Sequence, residues 1–109
     1  MADFDVKIAS NAELFEQASD EAIARALEAI GLQAEGYAKM LCPVDTGNLR
    51  NSITHAVEGI SAYIGTNVEY APYVEYGTSK TRAQPFLQPA AYNHADEYKR
   101  MVEYYLKNG

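Results

Sequence analysis

All four prolines of this chain lie at positions 43, 72, 85 and 89, so the first 42 residues lack the residue that stops a helix outright. Over that stretch the apolar positions step by three or four: Leu14, Ala18, Ala22, Ala26, Ile30, Ala34, Tyr37 and Leu41. The spacing predicts one amphipathic helix of about 30 residues, roughly 45 Å long at 1.5 Å per residue. Ser10 or Asn11 can cap it, with Glu13 in its first turn. The stripe is rich in Ala, so whatever packs on it sits near. Gly31 and Gly36 each cost about 1 kcal/mol against Ala in a helix interior. They mark a bend, or a place where another backbone comes close. Ahead of the helix, Phe4, Val6 and Ile8 alternate with Asp3, Asp5 and Lys7, which predicts a short strand with one apolar and one charged face.

Beyond Pro43 the elements shorten. Asp45-Thr46-Gly47 reads as a turn, with Asp45 or Thr46 capping a helical turn over Asn48-Leu49-Arg50. Ser52 to Glu58 reads as a strand with Ile53, His55 and Val57 on one face. Gly59 turns it, and Ala62 to Asn67 reads as its antiparallel mate. Pro72 opens and Gly77 closes one helical turn, the expected asymmetry of the two residues. Tyr70, Tyr73 and Tyr76 recur every third residue on one side of it. Gly77 to Gln84 is polar, carries Lys80 and Arg82, and reads as an exposed, mobile loop. Pro85 and Pro89 lead into a second helix with the stripe Leu87, Ala91, Ala95, Tyr98, Val102 and Tyr105, ending near Asn108. The order predicts an α+β fold, one domain over 1–109, with a long N-terminal and a C-terminal helix on one face of a small, mostly antiparallel sheet.

Composition removes several functional classes. A chain of 109 residues has room for one domain, and 48% hydrophobic content is enough to give it a core. No apolar run approaches the ~18 residues of a membrane span, and the acidic start lacks a signal peptide's pattern. Cys42 is the single cysteine and His55 and His94 the only histidines, so neither a disulfide framework nor a Cys- or His-rich metal site is expected. These absences suggest synthesis in a reducing cytoplasm. The net charge of −6 falls entirely on residues 1–36, where eight acids face two bases. Duplex-binding proteins cluster Lys and Arg, so ordinary nucleic-acid binding is not expected. The acidic third is either a solvated helix face or a surface that repels passing DNA or meets a basic partner.

No motif supplies a convincing reactive centre. Asp45-Thr46-Gly47 matches the tripeptide of aspartyl proteases, whose two facing carboxylates activate water. A homodimer using Asp45 is the enzyme-class alternative. However, that motif belongs to an all-β fold, whereas here a long helix and a proline precede it. Gly77-Thr78-Ser79-Lys80 lacks the earlier glycine of a phosphate loop. His55 reads as a core or rim histidine, with no titratable group spaced to stand beside it. His94 sits mid-helix with no partner at i+4, and Cys42 reads as a packed thiol. By contrast, nine tyrosines and no tryptophan point to contact surface. Tyr70, Tyr73 and Tyr76 either clip the short helical turn to the sheet or face a partner.

Three segments carry a resemblance: Cys42-Pro-Val-Asp-Thr-Gly-Asn-Leu-Arg-Asn-Ser-Ile53, Ile64-Gly-Thr-Asn-Val-Glu-Tyr-Ala-Pro-Tyr-Val-Glu-Tyr-Gly-Thr78, and Gln84-Pro-Phe-Leu-Gln-Pro-Ala90. In this order they resemble the bacteriophage tail-component family typified by gene product ten of the Hong Kong lambdoid phage. Residues 1–41 resemble it only in being a long helix. Tyr76 stands where the family is expected to carry Phe, and Gln88 where a basic residue is common. The resemblance implies a virion or prophage protein at the head–tail junction, assembled in the host bacterial cytoplasm. It implies a neck or tail-completion subunit acting as a ring homo-oligomer, a hexamer favoured, with a tail-tube terminator ring as the alternative. It implies no enzyme activity, no cofactor and no membrane. Its partners would be further copies of itself, neighbouring connector and tail proteins, and DNA passing without sequence specificity. Tyr70, Tyr73, Tyr76, Thr78, Ser79, Lys80, Thr81, Arg82 and Gln84 are the candidate interface residues.

Overall fold

The computed structural model describes residues 4–9, 12–43 and 47–108. Its elements run β1 (Phe4–Ala9), α1 (Ala12–Phe15), α2 (Asp20–Leu41), α3 (Gly47–Ser52), β2 (Thr54–Glu58), β3 (Ser61–Thr66), α4 (Ala71–Tyr76), α5 (Leu87–Tyr92) and α6 (Ala95–Asn108). The fold is α+β, as the sequence predicts. The three strands form an antiparallel sheet in the order β1-β3-β2. The hairpin turns at Gly59, whose φ of +61° suits glycine.

Register assigns the faces. Ile64 lies opposite both Val6 and His55, and Val57 opposite Ala62, so these side chains share one side of the sheet. Asp5, Lys7 and Thr54 fall on the other side and are exposed. α2 covers the apolar side over β2 and β3, while α5 covers β1 and β3. α6 packs chiefly against α2. Ala26, Leu27, Ile30, Ala34, Leu49, Ile64, Phe86 and Leu87 have no exposed surface and form the centre of the core. Full burial of a side chain such as Ile30 is worth about 1.5–3 kcal/mol. Small Ala26 and Ala34 let α2 lie close to the sheet, as the Ala-rich stripe implies.

The N-terminal helix differs from expectation in two ways. It is broken, because Ser19 is an N-cap: its backbone is extended, and its hydroxyl accepts from the Ala22 N–H at 3.1 Å. Asp20 and Glu21 follow in the first turn, where the positive end of the helix dipole favours acids. Its apolar stripe also shifts. Phe15, not Leu14 or Ala18, is the buried residue of α1, and Ala38 rather than Leu41 closes the buried face of α2. The expected caps Ser10 and Asn11 lie outside the described residues.

The C-terminal helix is broken as well. Asn93 caps the end of α5 and the His94 carbonyl accepts the first bond of α6, from the Tyr98 N–H. Asn competes with the helical backbone for hydrogen bonds, so it favours such ends. The Tyr98 hydroxyl then donates to the Ala90 carbonyl at 2.6 Å, strapping α6 to α5. Burial, with the nearby Glu97 charge adding to it, drives the Tyr98 pKa well above the usual phenol value. β2 starts at Thr54, two residues later than expected, because Ser52 completes α3.

Candidate assembly surface

α4 is the short turn that Pro72 and Gly77 predict, one residue longer at its start. Tyr76 clips it to the edge of the sheet through Phe4 of β1, while much of each of the three tyrosines stays exposed. Tyr73 and Tyr76 are 62% and 58% exposed, and Tyr70 is 38% exposed. Tyr76 rests edge-on against Phe4 with ring centroids 5.9 Å apart, and its hydroxyl accepts from the Gln88 amide at 3.0 Å. The residue that anchors α4 is Glu75, 2% exposed. Its Oε1 accepts from the Phe86 and Leu87 N–H groups at 3.2 and 2.9 Å, and its Oε2 from the Gln88 N–H at 3.1 Å. A carboxylate from one helix therefore satisfies the orphan donors that open the next.

The segment between them is exposed, as expected, yet it has a frame of its own. Gly77 adopts φ +78°, ψ 176°, a region open to glycine alone. A Cβ there would stand 2.7 Å from the Ala83 N and 2.9 Å from the Thr81 O. Thr78 N–H donates to the Thr81 carbonyl, the Thr78 hydroxyl accepts from the Lys80 and Thr81 N–H groups, and Gln84 N–H donates to the Val74 carbonyl. The loop is thus held along its length rather than free. Ser79, Lys80, Thr81 and Arg82 project from it, all exposed.

A second polar cluster lies across the molecule, where α2 meets β2. The His55 ring pairs through Nδ1 with Glu35 at 2.7 Å and through Nε2 with Glu28. Lys39 Nζ completes it, 3.1 Å from Glu35. Burial alone pulls the His55 pKa down, but its bonds to Glu28 and Glu35 outweigh this and leave it above the ordinary 6.5. Burial pushes the Glu35 carboxyl up, but its bonds to His55 and Lys39 outweigh that and leave it below the ordinary 4.5. Spacing along the chain puts no titratable group beside His55, yet the fold brings two to it from α2, Glu28 and Glu35. The signal was Gly31: a Cβ there would lie 2.9 Å from His55 Cδ2, so the glycine makes room for a side chain, not a backbone. With a carboxylate on each ring nitrogen, the imidazole has no free lone pair for general-base work.

His94 is likewise engaged. Its ring stacks on Tyr37 at 3.7 Å and 3°, and the Tyr37 hydroxyl donates to Glu97 at 2.6 Å. That bond to Glu97 raises the Tyr37 pKa. Cys42 is buried. Asp45 and Thr46, on which the protease alternative rests, lie outside the described residues. Among the described residues no cluster of His, Cys, Asp or Glu is arranged to hold a metal, and no helix is long and apolar enough to cross a membrane.

The three segments that carry the family resemblance are stitched together by polar side chains. The Ser52 hydroxyl, at the end of the first, bonds that of Thr66, in the second. Glu75, in the second, caps the third. Residues 7–77 match the model of the family described as bacteriophage HK97-gp10, putative tail-component. The match covers more than half of the chain, and the chain belongs to this family. It begins within β1 and ends just after α4, so it takes in the N-terminal helices and, of the three segments, the first and nearly all of the second, while Gln84 to Ala90 lies beyond it. The protein is a phage tail component, a structural protein of the virion whose partners lie among other tail proteins. No curated protein and no solved structure gives a significant match.

Proposed function

We propose that this protein is a ring-forming subunit at the head–tail junction, a neck or tail-completion protein that joins the head connector to the tail and performs no catalysis. One domain over 1–109 serves as the repeating unit, with a hexamer the favoured ring. The interface comprises Tyr70, Tyr73 and Tyr76 together with Thr78–Arg82 and Gln84. The observation that carries this reading is the exposure of Tyr73 and Tyr76 on a turn pinned by the buried Glu75. Tyrosine offers large contact area at low entropic cost, and here it is presented on a rigid base. Lys80 and Arg82 add two positive charges beside it, suited to a contact on a different, acidic patch of the next copy. Contacts between unlike patches close into rings when the rotation allows. DNA passes without sequence-specific contact.

Native mass spectrometry of the protein alone and with its connector partner tests the proposal. A ring in either sample supports it, and a strict monomer in both overturns it. Tyr73→Ala adds the location: assembly is expected to fail while the melting temperature holds. A large loss of melting temperature would instead make Tyr73 a packing residue.

A further inference from the structure

Two surfaces of this molecule carry opposite charge that nothing inside the chain neutralises. Residues 76–95 hold Lys80, Arg82 and no acid, whereas residues 13–21 hold Glu13, Glu16, Asp20, Glu21 and no base. All six side chains are exposed. Among the described residues every ion pair runs through Lys39, His55 or His94, so none of the six has a charged partner. Each surface also has an apolar part. Exposed Tyr73 stands on the turn that leads into the basic loop. Beside the four acids, α1, the residues after it and the end of α6 enclose a shallow groove of about 310 Å³. Half-buried Leu14, Ala18 and Leu106 form its floor, and exposed Gln17, Glu103 and Lys107 its rim. That volume lies at the low end of the roughly 300–1,000 Å³ of ligand pockets and suits one aromatic side chain.

The two surfaces lie at opposite ends of the sheet. β1 starts at Phe4, on which Tyr76 rests, and ends at Ala9, which pairs with Ala62 beside the hairpin turn. α1 follows directly, from Ala12. Six residues of strand span roughly 20 Å, so the tyrosine turn cannot reach the groove of its own chain.

We propose that the tyrosine turn of one copy docks on this groove of the next, with Tyr73 entering between Leu14 and Leu106 and with Lys80 and Arg82 meeting the acids around it. The inference rests on the ring reading above and names the surface that the turn meets. Lys107 is the one base in the rim, and Glu103 stands one helical turn before it. The tyrosine supplies the desolvated anchor. The charges, exposed on both sides, set orientation and association rate more than affinity. The patches are unlike, so every copy offers a turn to one neighbour and a groove to the other, and the contact closes only in a ring. The acids of the N-terminal third then serve a basic partner, which is this chain itself.

Exchanging the charges tests the contact, with native mass spectrometry as the readout. Lys80→Glu with Arg82→Glu, and separately Glu16→Lys with Glu103→Lys, should each cut the assembled fraction by about tenfold or more. The four changes in one chain should restore it. Lys80→Glu and Arg82→Glu combined with Asp5→Lys and Glu58→Lys have the same net charge but leave the groove acidic, since Asp5 and Glu58 are exposed on the other side of the sheet. That chain should stay unassembled. Melting temperatures should not change, because all of these side chains are exposed. Wild-type assembly, which involves no substitution, should weaken as salt rises from about 0.05 to about 0.5 M. A wild type that assembles while Glu16→Lys with Glu103→Lys assembles equally well overturns this inference alone. Rescue by the Asp5 and Glu58 changes, or assembly indifferent to salt, does the same. A wild type that stays monomeric overturns the ring reading and this inference together.

Discussion

Two glutamates bind two pairs of elements in this molecule by opposite means. Glu75 is buried and accepts only from backbone N–H groups, those of Phe86, Leu87 and Gln88. Glu35 is partly exposed and accepts from the side chains of His55 and Lys39. The backbone donors that face Glu75 carry no alternative partner and cannot turn to water. The side chains around Glu35 can swing into solvent and keep their charges hydrated. The Glu75 bonds are therefore costly to lose, and they fix the tyrosine turn and its loop to α5. The Glu35 bonds are cheap to lose and change with pH. The contact surface proposed above would thus stand on the first kind of support.

The contrast is broken most sharply at Glu75. Glu75→Ala leaves up to three N–H groups without acceptors in a buried place, each worth about 1–3 kcal/mol. A loss of about 3 kcal/mol is expected in urea unfolding, with a melting temperature lower by more than about 10 °C. Glu75→Gln keeps one oxygen and should fall between the two. A loss under about 1 kcal/mol for Glu75→Ala would mean that water replaces the carboxylate, and the distinction from Glu35 would collapse.

Gly77→Ala probes the same support from the loop side and should cost about 2 kcal/mol. The added methyl must relieve both a positive φ and its approach to the Ala83 N. The loop would open before the core does, so amide exchange at Thr81 and Gln84 should rise first. Uniformly unchanged exchange would show that the loop bonds do not frame it.

These supports explain what the sequence could and could not disclose. Signals that act over a few residues were legible: the alternation in β1, Gly59 in the hairpin, and Pro72 with Gly77 around α4. The tail-component resemblance was legible because its segments are dense in such residues. Glu75 and His55 were not, because their partners lie 11–13 and 20–27 residues away and no periodicity connects them. The helix breaks were half legible. Ser19-Asp20-Glu21 is a helix start in its own right, yet a stripe spaced by three and four runs through it, and the stripe dominated. The tyrosines were ambiguous for a plain reason: the same spacing serves burial and display, and only the sheet's position decides which.

The smallest effect is expected at His55, and its pH dependence is the informative part. The folded ring holds its proton more tightly than the unfolded chain does, so its contribution is complete below about pH 6.5 and fades as pH rises through the elevated folded value. Glu35 runs the other way. Its lowered folded value gives stability that is present above about pH 4.5 and lost as pH falls through that lowered value. The pair therefore contributes most between those two ordinary values. Glu28, at 61% side-chain exposure, adds little once solvent screens it. His55→Gln, measured by urea unfolding, should cost under about 1 kcal/mol near pH 5.5 and less near pH 8.5. A cost that stays flat across that range would mean that the ring acts through its packing beside Gly31 rather than its charge. The cluster would then resemble the Glu75 support more than it differs from it.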